Sequence, residues 1–365
     1  GATTSKIHTV IKIAPNYTYP SIQVKDASEG VSIVGKLLSH RQKEKYLEEL
    51  KNDYKKITDK YIAKNKAKTY IEINKARDNK FIINWEKDKI IKPSFTGRGS
   101  GRDYPIEKIS KFINWTSFFH AWDLNGRYPD ILKDKERGEE AEKLYKDAQK
   151  LLILIIGEKT LTAKGVIGLY PANSIKEDVL VYSDKDNNEV IIEFNFLRNQ
   201  ELKEDSSNNL SLADFIAPKD TNKTDYIGVF AATTGLGAEK KVKKFQKDND
   251  DYSAIMLKVL ADRLVEAFSE LLHSKVRNEL WGYEKDEQLS LELLFKNKYK
   301  GIRPAVGFPS CPDHTEKQKL FNLLNTEKNT EISLTENYAM YPEASVCGYY
   351  FAHPQAKYFN VGNVS

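Results

Sequence analysis

Between Arg303 and Glu316 the chain reads Arg-Pro-Ala-Val-Gly-Phe-Pro-Ser-Cys-Pro-Asp-His-Thr-Glu. Three prolines and a glycine within its first ten residues can continue neither a helix nor a central strand, so Arg303 to Pro312 is expected as an irregular loop exposing main-chain N–H and C=O groups. Such a loop can read a ligand with its backbone. Arg303 is its fixed cation, and a planar guanidinium fork suits a carboxylate. Further along, Ala344-Ser345-Val346-Cys347-Gly348-Tyr349-Tyr350-Phe351 and Lys357-Tyr358-Phe359 offer flat aromatic faces for a ring or a sulfonium. The pattern points to a small-molecule site; the competing reading is a structural loop packed on a buried hairpin.

Other residues carry weaker chemical signals. Asp262 and Glu266 stand four apart in a helix expected from Asp250 to about Leu280, which puts both on one face, with His273 two turns along on the same side. Arg263 beside them can relieve their repulsion, and a solvated helix face is the alternative. Cys311, His314 and Cys347 supply at most three metal ligands with no Cys-x-x-Cys pair, so no zinc site is expected, and His314 is read as a cap for the helix beginning near Thr315. Gly97-Arg98-Gly99-Ser100-Gly101-Arg102 lacks the Gly-Lys-Ser/Thr ending of a phosphate cradle and is read as a flexible surface loop. Gly235-Leu236-Gly237 is too short for a dinucleotide fingerprint.

The elements that must position these residues follow from periodicity and caps. Helices are expected at residues 8–12, from a cap at Asp26 to Leu38, from Ser39 to about Lys66, at Pro105 to Ile113, at Gly138 to Gly157 and at Lys317 to Leu324. Trp115 to Trp122 reads as an aromatic-rich turn or short helix. Strands are expected at Ser21 to Val24, Gly165 to Tyr170, Asp178 to Tyr182, Val190 to Phe196 and Tyr226 to Ala232. Three more are expected near Ser333 to Tyr338, Ser345 to Phe351 and Tyr358 to Val361, and Lys185 to Asn188 is read as a hairpin turn. Hairpins and helices in runs, without strict βαβ alternation, argue an α+β fold: one large domain with a twisted antiparallel sheet flanked by helices.

The Arg303 run resembles the S-adenosylmethionine-binding loop of the reactivation domain of cobalamin-dependent methionine synthases, patterned Arg-x-x-x-Gly-Tyr-Pro then Cys-Pro-Asp/Glu-His-Thr-Glu. The likeness extends through Trp281-Gly282-Tyr283, Gly301-Ile302, Leu334-Thr335-Glu336, Ala344-Ser345-Val346, His353-Pro354 and Lys357-Tyr358, and upstream through most of the chain. It implies that residues 1–38 are the β-α tail of a cobalamin-binding domain, 39–66 a linker helix and 67–365 the S-adenosylmethionine-binding domain. The cobalamin motif Asp-x-His-x-x-Gly is absent from all 365 residues, so cobalamin is expected on the neighbouring domain.

By the same resemblance, S-adenosylmethionine contacts fall on Asn114, Arg303, Ala305, Gly307, Phe308, Tyr358 and Phe359, and Asp262 and Glu266 face the cobalamin. Asn114 stands where the family usually has Asp, and an amide oxygen attracts an ammonium less than a carboxylate does. A helix N-cap is the equal alternative for Asn114. Phe308 replaces the loop's usual tyrosine, and Tyr358 is either a ligand contact or a core aromatic. The implied reaction is rescue: oxidised cob(II)alamin takes an electron from a flavodoxin-type donor and is remethylated from S-adenosylmethionine, restoring methionine synthesis from homocysteine. No general acid or base is needed for that step, and none is evident. A stand-alone methyltransferase and a non-catalytic interaction module are the alternatives, the first disfavoured by the missing glycine-rich βα turn.

Composition sets the outer bounds. The 57 basic and 52 acidic residues leave a net charge of +5. Because the signs alternate, as in Arg41-Gln42-Lys43-Glu44-Lys45, no one-sign stripe for nucleic acid is expected. No window reaches the roughly 18 apolar residues of a membrane span. Two cysteines are too few for a disulfide framework, so a cytoplasmic setting is the expectation, and a first residue other than Met suggests a fragment.

Overall fold

The structure, a computed structural model, describes residues 6–24, 27–39, 42–66, 69–99, 101–183, 189–203 and 207–362. The chain forms two compact units, Gly1–Tyr70 and Ile71–Ser365. In the first, α1 (Lys6–His8) runs through a wider turn at Thr9–Ile13, followed by α2 (Ala27–Leu38) and α3 (Lys43–Lys66). Ser21 to Val24 is not a strand. A strand needs a ladder, and here the Ser21 carbonyl accepts the Tyr54 hydroxyl at 2.5 Å instead. The expected cap at Asp26 lies outside the described residues.

The second unit is built on seven antiparallel strands among the described residues. The order β5 (Val190–Asn195), β4 (Asp178–Tyr182), β3 (Thr162–Ile175), β6 (Asp225–Leu236), β9 (Ser345–Tyr350) is extended by β1 (Gly97–Arg98) and β2 (Arg102–Tyr104), which both pair with β3. The glycine-rich run at 97–102 is therefore partly sheet, a correction to its reading as a flexible loop. The absent side chains let its backbone lie against β3, with Gly99 N–H donating to Ile167 C=O at 2.9 Å. The β4–β5 hairpin forms as expected, although the turn at Lys185–Asn188 lies outside the described residues. A small ladder joins β7 (Ser333–Leu334) and β8 (Met340–Tyr341).

Strand alternation divides the core into two. On β6, Phe230 and Ala232 face a cluster with Ile106 and Ile109 of α5 (Ile106–Ser110), Phe118 and Phe119 of α6 (Trp115–Ala121), and the stripe Ala141, Leu144, Ala148, Leu152 and Ile155 of α7 (Gly138–Gly157). The long α9 (Asp251–Lys275) contributes Leu257, Leu260, Leu264 and Phe268 to the same face. Val229 and Ala231 point the other way, toward Leu320 and Leu324 of α11 (Glu316–Leu324) and toward Phe194 and Phe215. Helices α4 (Ile73–Asp78), α8 (Ala238–Lys247), α10 (Leu291–Phe295) and α12 (Thr326–Thr330) complete the unit, each anchored by at least one buried residue.

The 302–312 segment covers the outer edge of β9. Ile302 and Phe351 exchange N–H to carbonyl bonds at 2.9 and 3.0 Å, Tyr349 N–H donates to Pro304 C=O at 3.0 Å, and Val306 N–H donates to Cys347 C=O at 3.1 Å. Much of the backbone expected to read a ligand is thus committed to the sheet, because an open edge strand would leave β9's own groups unpaired. Tyr358 to Val361 is likewise no strand. Ser310 Oγ donates to Phe359 C=O at 2.6 Å and Val361 N–H donates to Pro309 C=O at 2.9 Å, which clips this segment to the loop.

Gly348 makes this approach possible. A Cβ there would sit 2.3 Å from Pro304 O and 2.9 Å from Ala305 Cα, both backbone atoms that cannot swing aside. Gly348→Ala is expected to lower stability by about 2 kcal/mol. Urea unfolding should show this as a lower midpoint at unchanged slope.

Candidate functional site

Three elements meet at a cavity of about 420 Å³: α9, the N-terminus of α6, and the 303–310 loop with its companion Tyr358-Phe359. Asn114, Arg303, Ala305, Phe308, Tyr358, Phe359 and Glu266 all line it. Residues separated by more than two hundred positions in the chain are brought to one wall. Gly307 and Asp262 are not among the lining residues. Gly307 has φ +96°, and a Cβ there would meet the His314 ring at 2.5 Å, so its contribution is the turn itself.

Asn114 is the N-cap of α6, with Oδ1 accepting Ser117 N–H at 3.3 Å. The cap and the cavity position coexist, since the side chain sits at the helix mouth that opens on the cavity. Asn114→Ala is expected to cost about 1 kcal/mol in stability, read by thermal or urea unfolding.

Arg303 is mostly buried and ion-paired through Nη2 with Glu270 Oε1. Nη1 donates to the Tyr299 hydroxyl at 3.3 Å, and the Arg303 main-chain N–H donates to the Tyr358 hydroxyl at 3.0 Å. Burial alone would favour the neutral form, but the oxygens of Tyr299, Glu270 and Tyr358 outweigh it and raise the guanidinium above its ordinary value. A cation held on two sides is oriented before any ligand arrives. The Tyr358 hydroxyl thus holds the loop and Tyr299, at 3.2 Å, while its half-exposed ring lines the cavity. Phe308, 60% exposed, presents an apolar face at the mouth.

Behind this wall lies a buried aromatic and charged layer. His273 lies on the same stripe as Asp262 and Glu266 but is fully buried where they are exposed, so the solvated-face alternative does not extend to it. Helix α9 is covered by β9 and the 276–303 segment at that depth, so the same stripe that is open at Glu266 is closed at His273. Its imidazole contacts the Tyr283 hydroxyl at 3.2 Å and stacks on Tyr350. Burial, with Arg277 and Arg303 nearby, pushes its pKa well below the usual value and keeps it neutral. Arg277 stacks on the Tyr299 ring at 4.5 Å and pairs with Glu287 at 2.6 Å.

Asp262 and Glu266 sit on the solvent side of α9. Partial burial raises both carboxyls, and Asp262 raises Glu266 further, while Arg263, bonded to Glu266 at 2.7 Å, opposes the shift. His314 does not cap α11. The Asp313 carboxylate accepts Thr315 N–H at 2.8 Å, and the His314 ring lies 2.9 Å from Lys317 Nζ. Cys311 and Cys347 are buried free thiols, Cys347 pushed up by burial to about 12. Neither resembles a reactive thiolate.

Sequence alone does not single out Glu270 and Tyr299. The signal was present, since Glu270 continues the Asp262, Glu266 spacing by one turn and Tyr299 precedes Arg303 by four residues. Chemically, the wall offers groups that can bind and orient a ligand. Its serine hydroxyls donate to main chain, Ser269 to Val265 C=O at 3.0 Å and Ser310 to Phe359 C=O, and among the described residues no histidine lines the cavity to activate them.

The family model for the vitamin B12 dependent methionine synthase activation domain matches residues 105–365. A solved structure described as the MetH reactivation domain bound to AdoHcy superposes with TM-score 0.78 at 45% identity, covering 81% of this chain and 90% of that one.

Proposed function

Because the chain belongs to the activation-domain family of vitamin B12-dependent methionine synthase, we propose that its cavity binds S-adenosylmethionine and presents the methyl group to a cobalamin carried on a neighbouring domain. The observation that carries this reading is the convergence of Arg303, Ala305, Phe308, Tyr358 and Phe359 on one cavity. The AdoHcy carried by the 45% identical relative is the chemical counterpart of that reading.

In this reading Arg303 holds the ligand's carboxylate with the face of its fork left by Glu270 and Tyr299. Ala305 is paired with Gly348 so that its own N–H and C=O face away from β9; the carbonyl accepts Phe308 N–H at 3.3 Å, and the N–H is left to meet a planar base. Phe308, Tyr358 and Phe359 supply apolar and π faces for the ring and sulfonium. Gly307 makes the turn that delivers Phe308. Asp262 and Glu266 face the partner domain at the rim. Cobalamin, when the partner brings it, supplies a reduced cobalt nucleophile, so this domain contributes positioning.

The same reading takes residues 1–38 as the end of a cobalamin-binding domain and 39–66 as a linker helix. It takes a flavodoxin-type protein as electron donor and the cytoplasm as the setting. Titration calorimetry with S-adenosylmethionine should give saturable one-to-one binding. No heat at millimolar ligand, with the protein folded, would favour an interaction module instead.

A further inference from the structure

Resting on the reading of this cavity as an S-adenosylmethionine site, we propose that Glu270 is the acceptor for the ligand's α-ammonium, so that the Arg303–Glu270 ion pair reads the zwitterion as a unit. The carboxylate and ammonium of an α-amino acid hang from one carbon, so their receptors must be a cation and an anion side by side. Arg303 and Glu270 are already so placed on the cavity wall, joined through Nη2 and Oε1.

The second oxygen of Glu270 is the telling atom. Oε2 is buried and has no hydrogen-bond donor among the described residues, although the residue is only 7% exposed and lines the cavity. A buried carboxylate oxygen without a donor is uncommon, and a cationic donor is its best partner. The other carboxamide and carboxylate side chains on the wall each have at least one partner, and Glu266 is exposed rather than buried. Asn114 Oδ1 takes Ser117 N–H at 3.3 Å, Asn297 Oδ1 takes the Tyr299 hydroxyl at 2.9 Å, and Glu266 is held by Arg263 at 2.7 Å. Asn114 also lacks the charge. Glu270 therefore supplies the anionic half of the receptor, and Asn114 at most a neutral second contact.

The test uses the full chain and three probes: S-adenosylhomocysteine, its analogue with hydrogen in place of the α-ammonium, and 5′-methylthioadenosine, which lacks the amino-acid end. Glu270→Gln keeps an amide oxygen for Arg303 and removes the charge. It should weaken S-adenosylhomocysteine about tenfold, to the level of the desamino analogue, while the desamino analogue and 5′-methylthioadenosine bind as before. Equal weakening of S-adenosylhomocysteine and the desamino analogue would overturn the proposal, since Glu270 would then act only by holding Arg303. Asn114→Ala is the second variant, needed if Glu270→Gln does not fold. It should preserve most of the preference for S-adenosylhomocysteine over the desamino analogue, and loss of that preference would assign the ammonium to Asn114 and overturn the proposal. If the unmodified chain binds 5′-methylthioadenosine but does not distinguish the other two probes, the ammonium has no receptor and this inference fails alone. If it binds none of the three, the site reading itself fails.

Discussion

Arg303→Ala is expected to weaken S-adenosylhomocysteine binding by about 2 kcal/mol or more, roughly a thirtyfold rise in Kd. It should also destabilise the fold by about 3 kcal/mol, because Glu270 is left as a buried carboxylate without its counter-ion. The two effects have separate origins and can be separated. Replacing both partners, Arg303→Met with Glu270→Leu, removes the stranded charge along with the pair. That double variant should recover most of the lost stability while binding stays lost. Calorimetry and urea unfolding on the same three proteins read both quantities. Binding that survives Arg303→Ala unchanged would take the guanidinium out of the ligand site.

The difference between a binding arginine and a structural one could not be read from spacing. Sequence showed Arg303 as the cation of a loop that cannot be helix or strand, and the loop is indeed irregular. Its partner Glu270 lies 33 positions away on a helix whose acids look solvated when only periodicity is considered. Burial on α9 varies along one stripe, from exposed Glu266 to fully buried His273, because β9 and the 276–303 segment cover only its C-terminal half. No helical pattern carries that information. Local elements fared better where local forces set them: α7 spans Gly138–Gly157 and β4 spans Asp178–Tyr182, as periodicity and turn residues indicate. The misses at Ser21–Val24, Gly97–Arg102 and Tyr358–Val361 share one cause. Strand formation depends on whether a partner edge is available, which is a property of the tertiary fold.

The division of labour between binding and chemistry leads to an all-or-none expectation. On the proposed reading the cavity orients a cationic sulfur ligand, yet its serine hydroxyls are tied to main-chain carbonyls and no histidine among the described residues lines it. His273, the nearby imidazole, is sealed against Tyr283 and Tyr350 in the layer behind. The two cysteines are buried, and burial raises both thiols far above the range of a working nucleophile. With S-adenosylmethionine alone, this chain should therefore bind ligand and transfer no methyl group. Supplied with a separately prepared cobalamin domain and a flavodoxin-type reductant, it should transfer the labelled methyl of S-adenosylmethionine to cobalamin, read as the visible spectrum of methylcobalamin. Transfer to a small acceptor without cobalamin would instead establish a stand-alone methyltransferase. Confirmed binding with no transfer in the complete mixture would leave a ligand-sensing module, and either result would remove the rescue mechanism.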